Sequence, residues 1–170
     1  MRANRFGLLV ILAGCLGTGV EKGDSAKSAN RLDLAKDFLR KHQLEAAETE
    51  CNRAIALSPA NDEAFVVRGL VQMVRAIDTQ RTMEIEGCLT GLDAEATQRD
   101  LDVLLAKADK DFEAATKINP EYGEAWADRG VVHNLQQDYS GAHEFLEHAL
   151  ENPMRLDSPG LTRAHLGWAL

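Results

Sequence analysis

Apolar residues recur at helical spacing through the segment Glu121–Asn152 and divide it into two short amphipathic helices. A polar stretch, Gln136–Asp138, separates them, so the segment is predicted to fold as a helical hairpin. Gly130 in the first helix and Ala142 in the second are small enough to let the two backbones approach closely. The other apolar positions are Trp126, Leu135, Tyr139, Phe145, Ala149 and Leu150. One hairpin cannot bury its own apolar face, so the pattern is expected to recur.

The same landmarks recur at two fixed separations. The pairs that are 61 residues apart are Ala47/Ala108, Pro59/Pro120, Phe65/Trp126 and Gly69/Gly130, and those 34 apart are Arg31/Phe65 and Ala35/Gly69. The period of tetratricopeptide repeats is 34 residues, and 61 is that period with an insertion of 27. From about Asn30 onwards the chain therefore resembles tetratricopeptide-repeat proteins. The resemblance implies an all-α tetratricopeptide-repeat helical solenoid with a lengthened helical hairpin in the second repeat.

The repeat domain is predicted to span residues 29–170. Its repeats cover about 29–61, 62–122 with the insertion, 123–159, and a truncated fourth at 160–170. Asp62 is the predicted N-cap of the second repeat. The loop Asn152–Pro159 precedes the fourth repeat, whose apolar Leu166 and Trp168 suggest that further repeats follow residue 170.

The insertion allows two arrangements. Helical periodicity continues from Phe65 to about Ile85, the sequence EGCLTG at 86–91 is typical of a chain reversal, and Asp93 can cap a second helix that ends at Ile118. A straight hairpin would extend each arm by roughly 20 Å at 1.5 Å per residue. The alternative is an insertion that folds back across the repeats.

The N-terminus is predicted to be a targeting segment. Basic residues precede a short apolar run, and Leu12-Ala13-Gly14-Cys15 resembles the lipobox of a bacterial lipoprotein signal. We expect residues 1–14 to be a signal peptide, Cys15 to carry the lipid, and the chain up to residue 28 to be a flexible tether. Leu16 stands where an Asp would retain an enterobacterial lipoprotein in the inner membrane, which favours the outer membrane.

Composition and motifs argue against several functions. The net charge is −8 and aromatic residues make up 5% of the chain, so no basic surface is available for nucleic acid. No phosphate loop, nucleophile elbow or HExxH motif occurs. The histidines are scattered, so neither a metal site nor a cofactor is predicted. The expected protein is not an enzyme and has no small-molecule substrate.

Two cysteines remain in a compartment expected to be oxidising. They either form a disulfide between Cys51 and Cys88 or remain two unrelated thiols. In a straight arm Cys88 would lie about 27 Å from the level of Cys51, whereas a disulfide needs Cα atoms within about 7 Å. The bond therefore requires the insertion to fold back.

The stacked first helices of the repeats should line a concave surface. Val66, Leu70, Ala127 and Val131 are predicted to face it, and the bases that clamp acidic peptide tails in one subtype of the family are not evident. An apolar groove of this kind suits a helix or extended segment of a partner protein. The alternative is that these residues pack between repeats.

The chain resembles the type IV pilus pilotins, the PilF/PilW/Tgl group of outer-membrane lipoproteins. The features that carry this resemblance are the lipobox, the repeats that follow it, and the junction formed by Asn152-Pro153, Pro159 and Leu166-Gly167-Trp168. This resemblance implies a lipid-anchored protein that binds secretin subunits and promotes their assembly in the outer membrane. The insertion departs from the shorter pilotins. The alternatives are a general periplasmic scaffold for outer-membrane-protein or cell-wall assembly, and an enzyme whose active part lies downstream.

Overall fold

The computed structural model describes residues 22–90, 94–151 and 154–170, and within them the secondary structure is entirely α-helical. The helices are α1 (Lys22–Arg40), α2 (Leu44–Leu57), α3 (Asp62–Thr90), α4 (Ala94–Ile118), α5 (Gly123–Leu135), α6 (Tyr139–Glu151) and α7 (Pro159–Trp168). Cys15 and its lipobox, Asp93 and Asn152-Pro153 lie outside the described residues. Among the helices described, none is both long and apolar enough to cross a membrane.

Consecutive helices pack as antiparallel pairs, α1 with α2, α3 with α4 and α5 with α6, and each pair packs on the next. One apolar cluster joins the first pair to α3 through residues such as Leu32, Cys51 and Val67. A larger cluster joins α3, α4 and α5 around Phe112 and Leu105. The predicted all-α helical-repeat architecture is thereby confirmed.

Glycines allow the close approach within two of these pairs. A Cβ on Gly69 would lie 2.7 Å from Cε1 of Phe112, and a Cβ on Gly130 would lie 2.8 Å from Cδ2 of Leu146 and closer still to its Cγ. Both distances are shorter than side chains tolerate, so each glycine sits where the facing helix leaves no room for a methyl group. The separation of 61 residues between the two glycines therefore reflects the same contact made twice.

The insertion forms a lengthened hairpin. α3 has 29 residues and α4 has 25, and the two pack side by side. Along α4, the predicted apolar stripe is buried at Leu101, Leu105, Ala108, Phe112 and Ala115. The second arrangement considered, an insertion folded back across the repeats, does not occur in the described part of α3 and α4.

Two local expectations differ from the structure. α1 begins at Lys22 instead of Ala29, because Ser28 is fully buried and its hydroxyl donates to the Ala54 carbonyl at 2.8 Å, so the later part of the expected tether is helical. The cap of α3 is Asn61 instead of Asp62, since the Asn61 Oδ1 accepts the Ala64 amide at 3.1 Å.

The turns between paired helices use the left-handed backbone region. His42 between α1 and α2 has φ of 57°, and Gln137 between α5 and α6 has φ of 63°. Glycine is the residue that adopts this conformation without steric cost. Both turns therefore carry a modest strain that a glycine would remove.

Candidate functional site: a concave groove

A groove with a volume of about 480 Å³ opens on the side of the molecule formed by α1, α3 and α5. Its apolar floor comes from α1 and α3, where the side chains that line it are Leu39, Val66, Val67, Leu70 and Val74. All of them except Leu39 recur at helical spacing along α3, so one face of that helix supplies most of the floor. The groove is therefore a direct result of stacking the first helices of successive repeats.

The residues predicted to line the groove divide into two groups. Val66 and Leu70 do line it, Val66 being only 3% exposed and Leu70 half-buried. Ala127 is buried and Val131 half-buried, and neither is among the residues that line the groove. On α5 the lining residues are Glu124 and Asp128, so this wall is acidic where an apolar wall was expected.

Asp128 is the group in the groove that sequence reasoning missed. It is 9% exposed, its Oδ2 has no hydrogen-bond partner among the described residues, and it lines the groove. Burial, together with the neighbouring Glu124 carboxylate, raises the pKa of Asp128 to about 8. The sequence does contain an indication of this residue. Asp128 stands 61 residues after Val67, so it occupies the position at which the preceding repeat has a buried valine.

Three basic side chains also line the groove, Lys36, Arg40 and His42, which corrects the expectation that this surface lacks bases. Each lies beside a carboxylate of the protein: the Lys36 ammonium is 2.7 Å from Glu63, the Arg40 guanidinium is 2.7 Å from Asp37, and the His42 Nε2 is 3.0 Å from Asp78. The carboxyl groups on the opposite side belong to Glu124, Asp128 and Asp157. The groove is therefore apolar at its floor and predominantly acidic on the α5 side.

The loop before α7 closes the acidic side. The amides of Gly123 and Glu124 donate to the carbonyls of Met154 and Arg155 at 2.9 and 3.1 Å, which satisfies the first amides of α5. The Arg155 guanidinium lies 3.6 Å from the centre of the Tyr122 ring and donates to Asp62 at 2.7 Å. The described part of the predicted extended loop is thus fixed across the starts of α3 and α5.

The sulfur and metal chemistry considered from the sequence receives no support in the described residues. Cys51 is a free thiol with no exposed surface, and burial raises its pKa to about 12. The side chain of Cys88 lies outside the described residues, and α3 carries its backbone along a continuous helix, so the Cys51–Cys88 disulfide stays an unsupported prediction. Within those residues, no group of three or more His, Cys, Asp or Glu could hold a metal ion.

Comparison with solved structures identifies the fold. The chain is similar to the TPR domain of Arabidopsis OM64, with a TM-score of 0.64 and 16% identity over 87% of this chain and 100% of that one. It is similar to the TPR2B domain of yeast Sti1 in a structure named as a complex with pHsp70 (TM-score 0.66, 14% identity, 85% and 97% covered).

A third similar structure is the first TPR of Spaghetti (RPAP3) bound to the HSP90 peptide SRMEEVD (TM-score 0.60, 15% identity, 83% and 91% covered). No family model and no curated protein matches the chain. Similarity at this level of identity establishes the tetratricopeptide-repeat fold.

Proposed function

We propose that this protein is a non-catalytic scaffold that binds a segment of a partner protein in the groove lined by Val66, Leu70 and Asp128. The observation that carries the proposal is the groove itself, whose volume of about 480 Å³ and apolar floor suit side chains of a bound segment. Two structures of the same fold are named as complexes, one with pHsp70 and one with the HSP90 peptide SRMEEVD. Their names support a protein segment as the ligand here.

We further propose that the protein is a pilotin and that its partner is the secretin. The lipobox ending at Cys15, the repeats and the junction Pro159 with Leu166-Gly167-Trp168 are the features that resemble this group. On this proposal the lipid holds the protein on the periplasmic face of the outer membrane, and the groove binds secretin subunits during their assembly for type IV pilus biogenesis and pilus-dependent motility. The anchoring in this proposal rests on a lipid carried by Cys15.

The anchor is tested by Cys15→Ala. The variant should leave the membrane fraction, because a thioether to lipid can form only at the cysteine. Its abundance should be checked by immunoblot of whole cells, since a failure to mature can also reduce the amount of protein. Retention of the full amount in the membrane fraction would remove lipid anchoring from the proposal.

The client is tested by deleting the gene and immunoblotting for heat-resistant secretin multimers. The proposal predicts that multimers fall and monomers accumulate, and that a plasmid copy restores the multimers. Normal multimers in the deletion strain would reject the pilotin function. They would leave open the general periplasmic scaffold for outer-membrane-protein or cell-wall assembly, which requires the groove but not the secretin.

A further inference from the structure

Asp128 has the properties of a carboxyl group that is completed by a ligand. It lies on α5 one helical turn after Glu124, it is nine-tenths buried, and it lines the groove. Its Oδ2 atom is out of contact with solvent and has no partner among the described residues. Buried polar atoms in folded proteins are nearly always hydrogen-bonded, so an unsatisfied one at a groove calls for an explanation.

A purely structural role does not account for this carboxyl. A side chain retained for packing at this position would be apolar, as Val67 is at the matching position of the preceding repeat. Burying an unpaired acid destabilises the fold, and burial correspondingly raises the pKa of Asp128 to about 8. The cost is recovered when a hydrogen-bond donor enters the groove and reaches the carboxyl.

The charges around Asp128 indicate which donor this is. Glu124 and Asp157 lie on the same side of the groove, and the Asp157 amide donates to Glu124 at 3.0 Å, which fixes both at the rim. The basic side chains of the groove, Lys36, Arg40 and His42, each lie beside a carboxylate of the protein. The unpaired charges at the groove are therefore the carboxylates of Glu124 and Asp157, which attract a cation, and a cation beside Asp128 would favour the ionised form of that carboxyl as well.

We propose that the groove binds a protein segment in which a Lys or Arg is flanked by apolar side chains, with Asp128 accepting a hydrogen bond from the cationic group. The apolar neighbours of that residue pack on Val66 and Leu70. The proposed ligand is basic, whereas the peptide-clamping subtype of the family binds an acidic tail. This inference rests on the proposed function, because it takes the groove as the client site, and it adds the chemistry of the client segment.

The test selects peptides from a random display library on the immobilised protein and measures the selected peptides by fluorescence polarisation. Wild-type protein should enrich peptides that carry Lys or Arg beside apolar residues. Asp128→Asn preserves the size of the side chain and removes the carboxyl group that a bound cation would hold in its ionised form, and it should weaken the binding of these peptides by about 30-fold or more. Glu144→Gln, which removes one charge from an exposed position of α6 outside the groove, is the matched control and should change binding by less than about twofold.

Several outcomes would overturn the proposal: enrichment of acidic peptides, enrichment with no basic residue, no enrichment at all, or equal binding by wild type and Asp128→Asn. Far-ultraviolet circular dichroism confirms that each variant is folded. The result is separable from that of the secretin experiment. If the groove selects basic and apolar peptides but deletion of the gene leaves secretin multimers unchanged, the pilotin function is rejected and this inference stands. If deletion reduces the multimers but the groove does not select such peptides, only this inference is rejected.

Discussion

A methyl group added at Gly130 tests the contact on which the third helical pair is built. In Gly130→Ala the new Cβ would lie 2.8 Å from Cδ2 of Leu146, closer to its Cγ, and 3.2 Å from the carbonyl oxygen of Ala142. Leu146 has no exposed surface, so its side chain has little space into which to move. The Ala142 oxygen is backbone and can move only if α5 and α6 separate.

The magnitude follows from two opposing contributions. Alanine is a better helix former than glycine by about 1 kcal/mol in a helix interior. Overpacking a close-packed core costs about 1–3 kcal/mol, and here the overlap involves a fixed side chain and the backbone, which places the cost at the upper end. We expect Gly130→Ala to lower the free energy of unfolding by about 1–2 kcal/mol, a fall in Tm of roughly 3–8 °C for a domain of this size.

The assay is thermal and urea unfolding followed by circular dichroism. Gly167→Ala in α7 is the matched control, because nothing lies within 4 Å of the Cβ it adds. This control should be neutral or more stable by up to about 0.5 kcal/mol, since only helix propensity acts on it near a helix end. The two variants differ from wild type by the same atoms, so their difference isolates the contact.

A double-mutant cycle with Leu146→Ala tests whether the Gly130 effect comes from contact with Leu146. Leu146→Ala alone should cost about 2–5 kcal/mol, and combined with Gly130→Ala it should cost at least about 1 kcal/mol less than the sum of the two single changes. Additive effects, or a Gly130→Ala variant as stable as Gly167→Ala, would show that α5 and α6 are not in close contact at Gly130.

Three further predictions concern single groups. Because the pKa of Asp128 is raised from 3.8 to about 8, the folded state holds a proton that the unfolded state releases; the stability from that proton is complete below about pH 4 and is lost as the pH rises to about 8. Urea unfolding between about pH 5 and 7 should therefore show Asp128→Asn gaining about 1.4 kcal/mol per pH unit relative to wild type, and a constant difference would contradict the raised pKa. Gln137→Gly should stabilise the protein by up to about 1 kcal/mol because φ is 63°, whereas Gln136→Gly, at φ −80°, should give no gain; equal melting temperatures would argue against the left-handed turn. Peptide mass spectrometry after iodoacetamide should find Cys51 unlabelled in the native protein and labelled in urea, and a Cys51–Cys88 cross-linked peptide would disprove the free thiol.

The elements that depend on local pattern could be predicted from the sequence. The pairs at 61 residues placed Gly69 and Gly130 at equivalent contacts, because a close approach of helices restricts the side chain directly at that position. The apolar spacing from Leu101 to Ala115 predicted the buried face of α4 for the same reason. Such features depend on a few residues that lie close together in the sequence of one helix, so the sequence is enough to predict them.

The features that depend on contacts between distant residues could not be predicted in the same way. The early start of α1 is fixed by a hydrogen bond from Ser28 to a residue in α2, and composition alone made that segment resemble a tether. Ala127 and Val131 were assigned to the groove from their position in the repeat, but the direction of α5 presents Glu124 and Asp128 there instead. A small rotation of a helix is enough to exchange one face for another, since neighbouring residues on a helix point about 100° apart.

Leu70→Gln shows whether the apolar floor of the groove binds the client. Leu70 is half-buried on the floor of the groove, whereas Ile118 is 38% exposed at the end of α4 and outside it, so Ile118→Gln is the matched control. Each variant replaces the chromosomal copy, its fold is checked by circular dichroism, and heat-resistant secretin multimers are measured by immunoblot beside co-purification of secretin subunits. Loss of apolar contact at Leu70 should weaken client binding by about tenfold or more and reduce the multimers, while Ile118→Gln behaves as wild type. Unchanged co-purification and unchanged multimers with a folded Leu70→Gln protein would show that the client does not bind to the apolar floor of the groove.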